Sequence, residues 1–241
     1  ISVVDSNRAP VLAAIGAQTT NENTATSVIL SATDVDGHAL TYSAASAETK
    51  VTASVSNDTL TLTPAANWNG TADITLTVTD GGLTDSETFT LTVNAVNDSP
   101  VLATIEDQTT NEDTATSVIL SATDIDGDSF TFTASSADTN VITTVSIDTL
   151  TLIPAANWNG QSAITVVVTD KGLGTLSDTT TFTLTVNAVN DSPVLATIED
   201  QTTNENTATS VILSATDIDG DALTYSASSD TSAVGLTISS D

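Results

Sequence analysis

Thr59-Leu60-Thr61-Leu62-Thr63-Pro64 alternates polar and apolar residues one for one, and so does Thr88-Phe89-Thr90-Leu91-Thr92-Val93. A period of two puts Leu60, Leu62, Phe89, Leu91 and Val93 on one face and threonine on the other, the pattern of a half-buried β-strand. Ile74-Thr75-Leu76-Thr77-Val78 repeats it. Working outward, seven strands are predicted in the first part of the chain: Val11–Ile15, Ala25–Thr33, Ala39–Ala45, Val51–Ser56, Thr59–Thr63, Ala72–Val78 and Ser86–Val96. Asp36-Gly37, Asn57-Asp58, Asn67 to Gly70 and Asp80-Gly81-Gly82 supply turns between them. No stretch combines a helical period with caps. Seven short strands in about 90 residues specify a Greek-key β-sandwich, and the fold class is all-β, immunoglobulin-like.

The same text then returns. Asn94–Glu112 (NAVNDSPVLATIEDQTTNE) recurs unchanged at Asn187–Glu205, and a looser copy stands at Arg8–Glu22. Pro10, Pro100 and Pro193 mark the copies, at spacings of 90 and 93 residues. A period this long is a whole domain rather than a solenoid repeat. The expected organisation is the end of a preceding joint over 1–9, repeats over 10–98 and 99–191, and a truncated repeat over 192–241, which is expected to fray after Pro193. The two later joints read Val-Asn-Asp-Ser-Pro without a Gly/Ser spacer, which predicts a stiff connection. A repeated feature is a structural or binding unit rather than a unique active site.

Composition narrows the function. Thirty-one acidic residues face three basic ones, Arg8, Lys50 and Lys171, for a formal charge of −28. That excludes a nucleic-acid grip, which needs cations to displace counterions, and an anionic membrane surface. An apolar share of 39% argues against disorder. The absence of cysteine removes disulfides and thiol chemistry, and the absence of methionine is expected of an internal piece of a longer protein. No apolar run is long enough for membrane insertion. His38 is the only histidine, and Asp128 and Asp221 take its place in the other copies, so it reads as a surface turn residue. With one histidine and no cysteine, no Ser–His–Asp or Cys–His triad can recur, and the chain is expected not to be an enzyme.

The carboxylates carry the chemistry. Glu22 recurs as Glu112 and Glu205, the pair Asp34/Asp36 as Asp124/Asp126 and Asp217/Asp219, and Asp80 as Asp170. The joints add Asn94, Asn97 and Asp98, repeated as Asn187, Asn190 and Asp191. Strand polarity places Asp34, Asp36 and Asp80 at the end of a sandwich that receives the incoming joint, and Glu22 at the end where the chain leaves. Glu22, Asn94, Asn97, Asp98, Asp124, Asp126 and Asp170 are therefore expected to converge on the first joint. Two bare carboxylates about 4 Å apart repel by about 4 kcal/mol at an effective dielectric near 20. Such a set needs protonation or cations, and hard oxygen donors suit Ca²⁺.

Other readings are weaker. Asp124–Asp128 does not open an EF-hand, because Ser129 and Ser135 stand where Gly and Glu are needed. Trp68 and Trp158 read as core plugs rather than sugar platforms. Paired carboxylates at joints lack the aromatic-lined cleft of a glycosidase. Alternating threonine is the ordinary solvent face of a sandwich strand rather than an ice-binding array.

The early Glu22, the Asp-x-Asp at Asp124/Asp126, Asp170 and the joint Asn94-Ala95-Val96-Asn97-Asp98-Ser99-Pro100 resemble the bacterial cadherin-like repeats of large surface adhesins. The joint departs from that family with Asn94 for Asp, Val96 for Asn and a swapped Asn97-Asp98. Ala65-Ala66-Asn67-Trp68 stands roughly where the family has Leu-Asp-Arg-Glu. Before Pro10, Arg8 replaces the aspartate and Val4 the asparagine, so this leading joint is expected to bind calcium more weakly. The resemblance implies an extracellular, calcium-stiffened segment of a bacterial cell-surface adhesin that mediates cell adhesion. Its partners would be calcium, neighbouring repeats, and surface polysaccharide or like repeats on other cells. The alternatives are a polysaccharide-binding or homophilic module, or an appendage of an extracellular enzyme.

Overall fold

The computed structural model describes residues 6–239; Val3, Val4 and Asp5 of the leading joint lie outside the described residues. The first repeat contains β1 (Val11–Leu12), β2 (Gln18–Asn21), β3 (Thr26–Ile29), β4 (Ala32–Thr33), β5 (Thr41–Ser46), β6 (Val51–Ser56), β7 (Thr59–Pro64), β8 (Gly70–Thr79) and β9 (Thr84–Asn94). They form a four-stranded sheet in the order β2-β9-β8-β5, a three-stranded sheet β3-β7-β6 and a short ribbon of β1 and β4. The alternating runs supply the core: Leu60, Leu62, Ile74, Leu76, Val78 and Leu91 are fully buried. Outward-facing hydroxyls pair across the β8–β9 ladder, Thr75 with Thr88 at 3.1 Å and Thr77 with Ser86 at 2.9 Å. Threonine is thus the exposed face of the hairpin and leucine its core face.

The first two predicted strands need correction. The expected strand Val11–Ile15 survives only as Val11–Leu12, and Gln18–Asn21 adds a strand that alternation did not reveal. That segment has no apolar side chain to mark a face; it pairs in parallel with β9 and buries Thr20, whose hydroxyl donates to the Thr24 carbonyl at 2.9 Å. The expected strand Ala25–Thr33 divides at Leu30, whose N–H turns to the Asp58 carbonyl at 2.7 Å. Asp85 accepts the Leu12 N–H at 2.9 Å and Glu87 the Ile15 N–H at 3.1 Å, so side chains satisfy the backbone where the first strand leaves its ladder.

The second repeat has β10 (Val101–Leu102), β11 (Gln108–Asn111), β12 (Thr116–Ile119), β13 (Ala122–Thr123), β14 (Phe130–Ser136), β15 (Val141–Ser146), β16 (Thr149–Pro154), β17 (Gly160–Asp170) and β18 (Ser177–Asn187). Its sheets, β11-β18-β17-β14 and β12-β16-β15, reproduce the first topology. The longer second period has a local cause. Asp80 N–H closes its hairpin turn on Leu83, whereas Asp170 N–H closes on Leu176, after a loop with Gly174 and Thr175 at positive φ. Beyond Pro193 the described residues form β19 (Val194–Leu195) and β20 (Ala215–Thr216), paired with each other, while Leu195, Ile198 and Ile212 are exposed.

The chain divides into two compact units. Among the described residues, one comprises 6–100 with 123–130 and 169–177; the other comprises 101–122, 131–168 and 178–239. The joint ending at Pro100 and the acidic turns that meet it therefore belong to one unit.

Candidate metal centre

The parallel pair β2–β9 sets the geometry of the first joint. Its register places Asn21 beside Asn94, so both strands run out at the same end. The next residue, Glu22, donates its N–H to the Asn94 carbonyl at 3.0 Å, and its Oε1 accepts the Val96 N–H at 2.5 Å. Glu22 is 2% exposed. An antiparallel pair would have sent Glu22 and Val96 to opposite ends.

The two turns that meet this joint are built by their own carboxylates. Asp124 Oδ1 accepts the N–H groups of Asp126 at 2.9 Å and Asp128 at 3.3 Å, folding the Asp-x-Asp-Gly turn, with Gly127 at φ 78°. Asp126 Oδ2 in turn accepts the Asp98 N–H at 2.7 Å. Asp170, also buried, accepts Gly172 N–H at 3.2 Å and Leu176 N–H at 3.1 Å on Oδ1, and the Asn97 amide at 2.8 Å on Oδ2. Three consecutive residues, Val96, Asn97 and Asp98, are thus each held by a carboxylate from a different element. A Cβ on Gly172 would stand 2.0 Å from Asn97 Oδ1 and 2.1 Å from Asp128 Oδ2, so a larger residue there would push these two side-chain oxygens aside.

The donors do not exhaust the acceptors. Glu22 Oε2, Asp98 Oδ2 and Asp124 Oδ2 are buried and have no hydrogen-bond partner among the described residues. A buried carboxylate oxygen without a donor is costly, and a cluster of them calls for positive charge. Partial burial first, and then the charges of Asp124, Asp170 and Asp126, push the Asp128 carboxyl above its ordinary range. An all-oxygen set of this kind fits a hard dication such as Ca²⁺. Asn94 is not drawn into the set: it is exposed, and its amide donates to Asn21 Oδ1 at 3.2 Å.

At the leading joint Asn7 Nδ2 donates to Asp80 Oδ2 at 3.0 Å and Arg8 N–H to Asp36 Oδ2 at 2.8 Å, while Asp34 Oδ2 is buried and has no hydrogen-bond partner among the described residues. Hydrogen bonds to the Leu83 and Gly82 amides lead in holding Asp80 below the usual carboxylate range, with help from Asn7 and His38.

At the second joint Glu112 Oε1 accepts the Val189 N–H, and Asp219 Oδ2 accepts the Asp191 N–H at 2.6 Å. Asp217 Oδ1 folds its own turn through Asp219 and Asp221, at 3.0 and 3.2 Å. The Asn190 amide nitrogen donates to the Asp191 carbonyl at 3.1 Å and the Asn187 amide nitrogen to Asn111 Oδ1 at 3.4 Å, and Glu205 is exposed.

Sequence reasoning overlooked three polar residues. Asp128 joins Asp124 and Asp126 in one group of ligand atoms, all within 4.8 Å of one another; its signal was the Asp-Gly-Asp that follows Ile125. Asp113 and Asn157 stand beside Asp191: Asp113 Oδ1 accepts the Asn157 backbone N–H at 3.0 Å, and with the Asn157 amide assigned so that its nitrogen faces the carboxylates, it donates to Asp191 Oδ2 at 3.1 Å and Asp113 Oδ2 at 3.2 Å. Burial first, then Asp219, Asp113, Glu112 and Asp217, raise the Asp191 carboxyl above its usual range. The replacement of Asn23 by Asp113 in an otherwise repeated Asn-Glu-x was the available cue. Trp68 packs against the core of the first sandwich, over Gly70.

Comparison with known proteins agrees with this architecture. Human protocadherin-24 repeats EC1-2 match 75% of this chain and 100% of their own, at 15% identity and a TM-score of 0.53. Drosophila N-cadherin EC1-4 matches 75% of this chain and 50% of its own, at 14% identity and a TM-score of 0.50. These likenesses are of fold. A chitinase A of Pseudoalteromonas piscicida is 31% identical over 124 residues, which is 50% of this chain but 15% of that protein. The model of the bacterial Ig domain matches residues 7–92 and again 97–187, well over half of the chain, which therefore belongs to that family as two tandem cadherin-like β-sandwiches.

Proposed function

We propose that the chain is a calcium-stiffened extender segment of a bacterial cell-surface adhesin, acting outside the cell and without catalytic activity of its own. The observation that carries this reading is the set of buried, partnerless oxygens Glu22 Oε2, Asp98 Oδ2 and Asp124 Oδ2 around one joint. Glu22, Asn97, Asp98, Asp124, Asp126, Asp128 and Asp170 would hold calcium there, and Glu112, Asp113, Asn190, Asp191, Asp217 and Asp219 at the second joint. Calcium, when bound, supplies the positive charge that these carboxylates lack. The residues do the rest. Glu22, Asp126 and Asp170 grip Val96, Asp98 and Asn97 from three elements. With their charges unbalanced, mutual repulsion loosens that grip and the joint swings. Calorimetric titration of the decalcified chain with CaCl₂ tests the binding step: saturable binding is expected, and a flat titration contradicts it.

A second reading is favoured by the chitinase match: a spacer or polysaccharide-binding appendage of a secreted polysaccharide-degrading enzyme. Sedimentation of the chain with insoluble chitin, with and without calcium, separates the two. Retention on chitin supports the appendage, and its absence alongside calcium binding supports the extender.

A further inference from the structure

One acidic cluster contains a nitrogen. In the turn after β4, Asp34, Asp36 and His38 each place a ligand atom within 4.8 Å of the others. Asp34 is the hub. Its Oδ1 accepts the N–H groups of Asp36 at 2.9 Å and His38 at 3.1 Å and lies 3.7 Å from His38 Nδ1. Its side chain is 2% exposed, yet Oδ2 meets no donor among the described residues. The His38 side chain is 49% exposed, so the imidazole is open to an incoming ion.

We infer that Asp34, Asp36 and His38 form a mixed carboxylate–imidazole site for a borderline transition-metal dication of the Zn²⁺ class, unlike the all-oxygen sets of the later repeats. Two differences from those repeats lead here. Imidazole replaces the carboxylate found at Asp128 and Asp221, and nitrogen donors suit zinc-like ions whereas oxygen suits calcium. Arg8 stands where Asp98 and Asp191 stand, removing another oxygen donor. Calcium seeks about six to eight oxygens, whereas zinc is satisfied with about four ligands. Two carboxylates and one imidazole are the three protein ligands of an open zinc-type site, with the remaining position left to water. Asp80, whose Oδ2 is already held by Asn7, flanks the cluster. The proposal goes beyond the calcium reading and does not depend on it, since neither later joint contains histidine.

Because His38 is the only histidine, its ring signals report on this site alone. The experiment is NMR of the tag-free chain held in saturating CaCl₂ and titrated with ZnCl₂. The ring signals should be unmoved by calcium and then shift saturably with one equivalent of zinc. Losing a group that merely supports a metal ligand costs about 10- to 100-fold in affinity, so Asp36→Asn should weaken zinc binding at least about tenfold. His38→Asp, which restores the residue of the other repeats, should abolish the zinc preference measured by calorimetry while leaving calcium binding at the later joints intact. Ring signals that ignore zinc, that respond to calcium alone, or that shift equally in Asp36→Asn would each overturn the assignment. A flat calcium titration with an intact zinc response would sink the joint hypothesis and spare this one.

Discussion

The Asn97 amide donates to Asp170 Oδ2 at 2.8 Å across 73 residues of chain, and the other oxygen of the same carboxylate closes the loop after β17. Asp170 therefore serves the joint and the hairpin turn together. Asp170→Ala leaves the Gly172 and Leu176 amides and the Asn97 side chain without their acceptor. Stability in the absence of metal should fall by about 2–3 kcal/mol, as expected when hydrogen bonds to a buried charged group are lost. Chemical denaturation in EDTA measures it, and an unchanged midpoint would contradict the assigned role.

Glu22→Gln should reverse its effect with calcium. The substitution removes a buried charge whose Oε2 lacks a donor. In EDTA the variant should melt above the wild type. In calcium it should melt below, because a ligand is gone. Scanning calorimetry in both buffers checks the sign in each; a variant that melts below the wild type in EDTA would contradict the unbalanced charge assigned to Glu22.

Ile147 sits in a hairpin turn at φ 59° and is 91% exposed. The equivalent turn of the first repeat has Asn57 at φ 55°. A β-branched residue in the left-handed region costs about 1–2 kcal/mol, and asparagine tolerates it better. Ile147→Asn should therefore stabilise the second sandwich by about 1 kcal/mol, read from its denaturation midpoint.

Acid should act through Asp178. Hydrogen bonds from the Leu102 amide first and the Thr179 amide second hold its carboxyl below the usual range, against a smaller opposing effect of burial. A lowered folded value means that the stabilisation is present above the unfolded value of about 3.9 and is lost as pH falls through the folded value. Without metal, the wild-type melting temperature should drop more steeply than that of Asp178→Asn as pH falls below about 4. Parallel slopes would contradict the assignment.

The core strands were legible because burial and period coincide in them: Leu60, Leu62, Ile74, Leu76 and Leu91 alternate with hydroxyls and are all fully buried. β2 was not legible, because Gln18-Thr19-Thr20-Asn21 has no apolar side to betray an edge strand. Strand polarity directed Glu22, Asp98 and Asp126 to the first joint, but not their individual partners: Glu22 grips the Val96 N–H and Asp126 the Asp98 N–H. Asn94 stayed out because its neighbour in the parallel register is Asn21, which takes its amide. Asp128 and the Asp113–Asn157 pair depend on where turns place single side chains, which repeat matching does not resolve.

Under the proposed function, cations on the joint carboxylates stiffen the chain. Small-angle X-ray scattering with calcium and then with excess EDTA tests it most directly. A sharply defined maximum dimension is expected in calcium and a broader, shorter distribution in EDTA. A distance distribution identical in both conditions would contradict it.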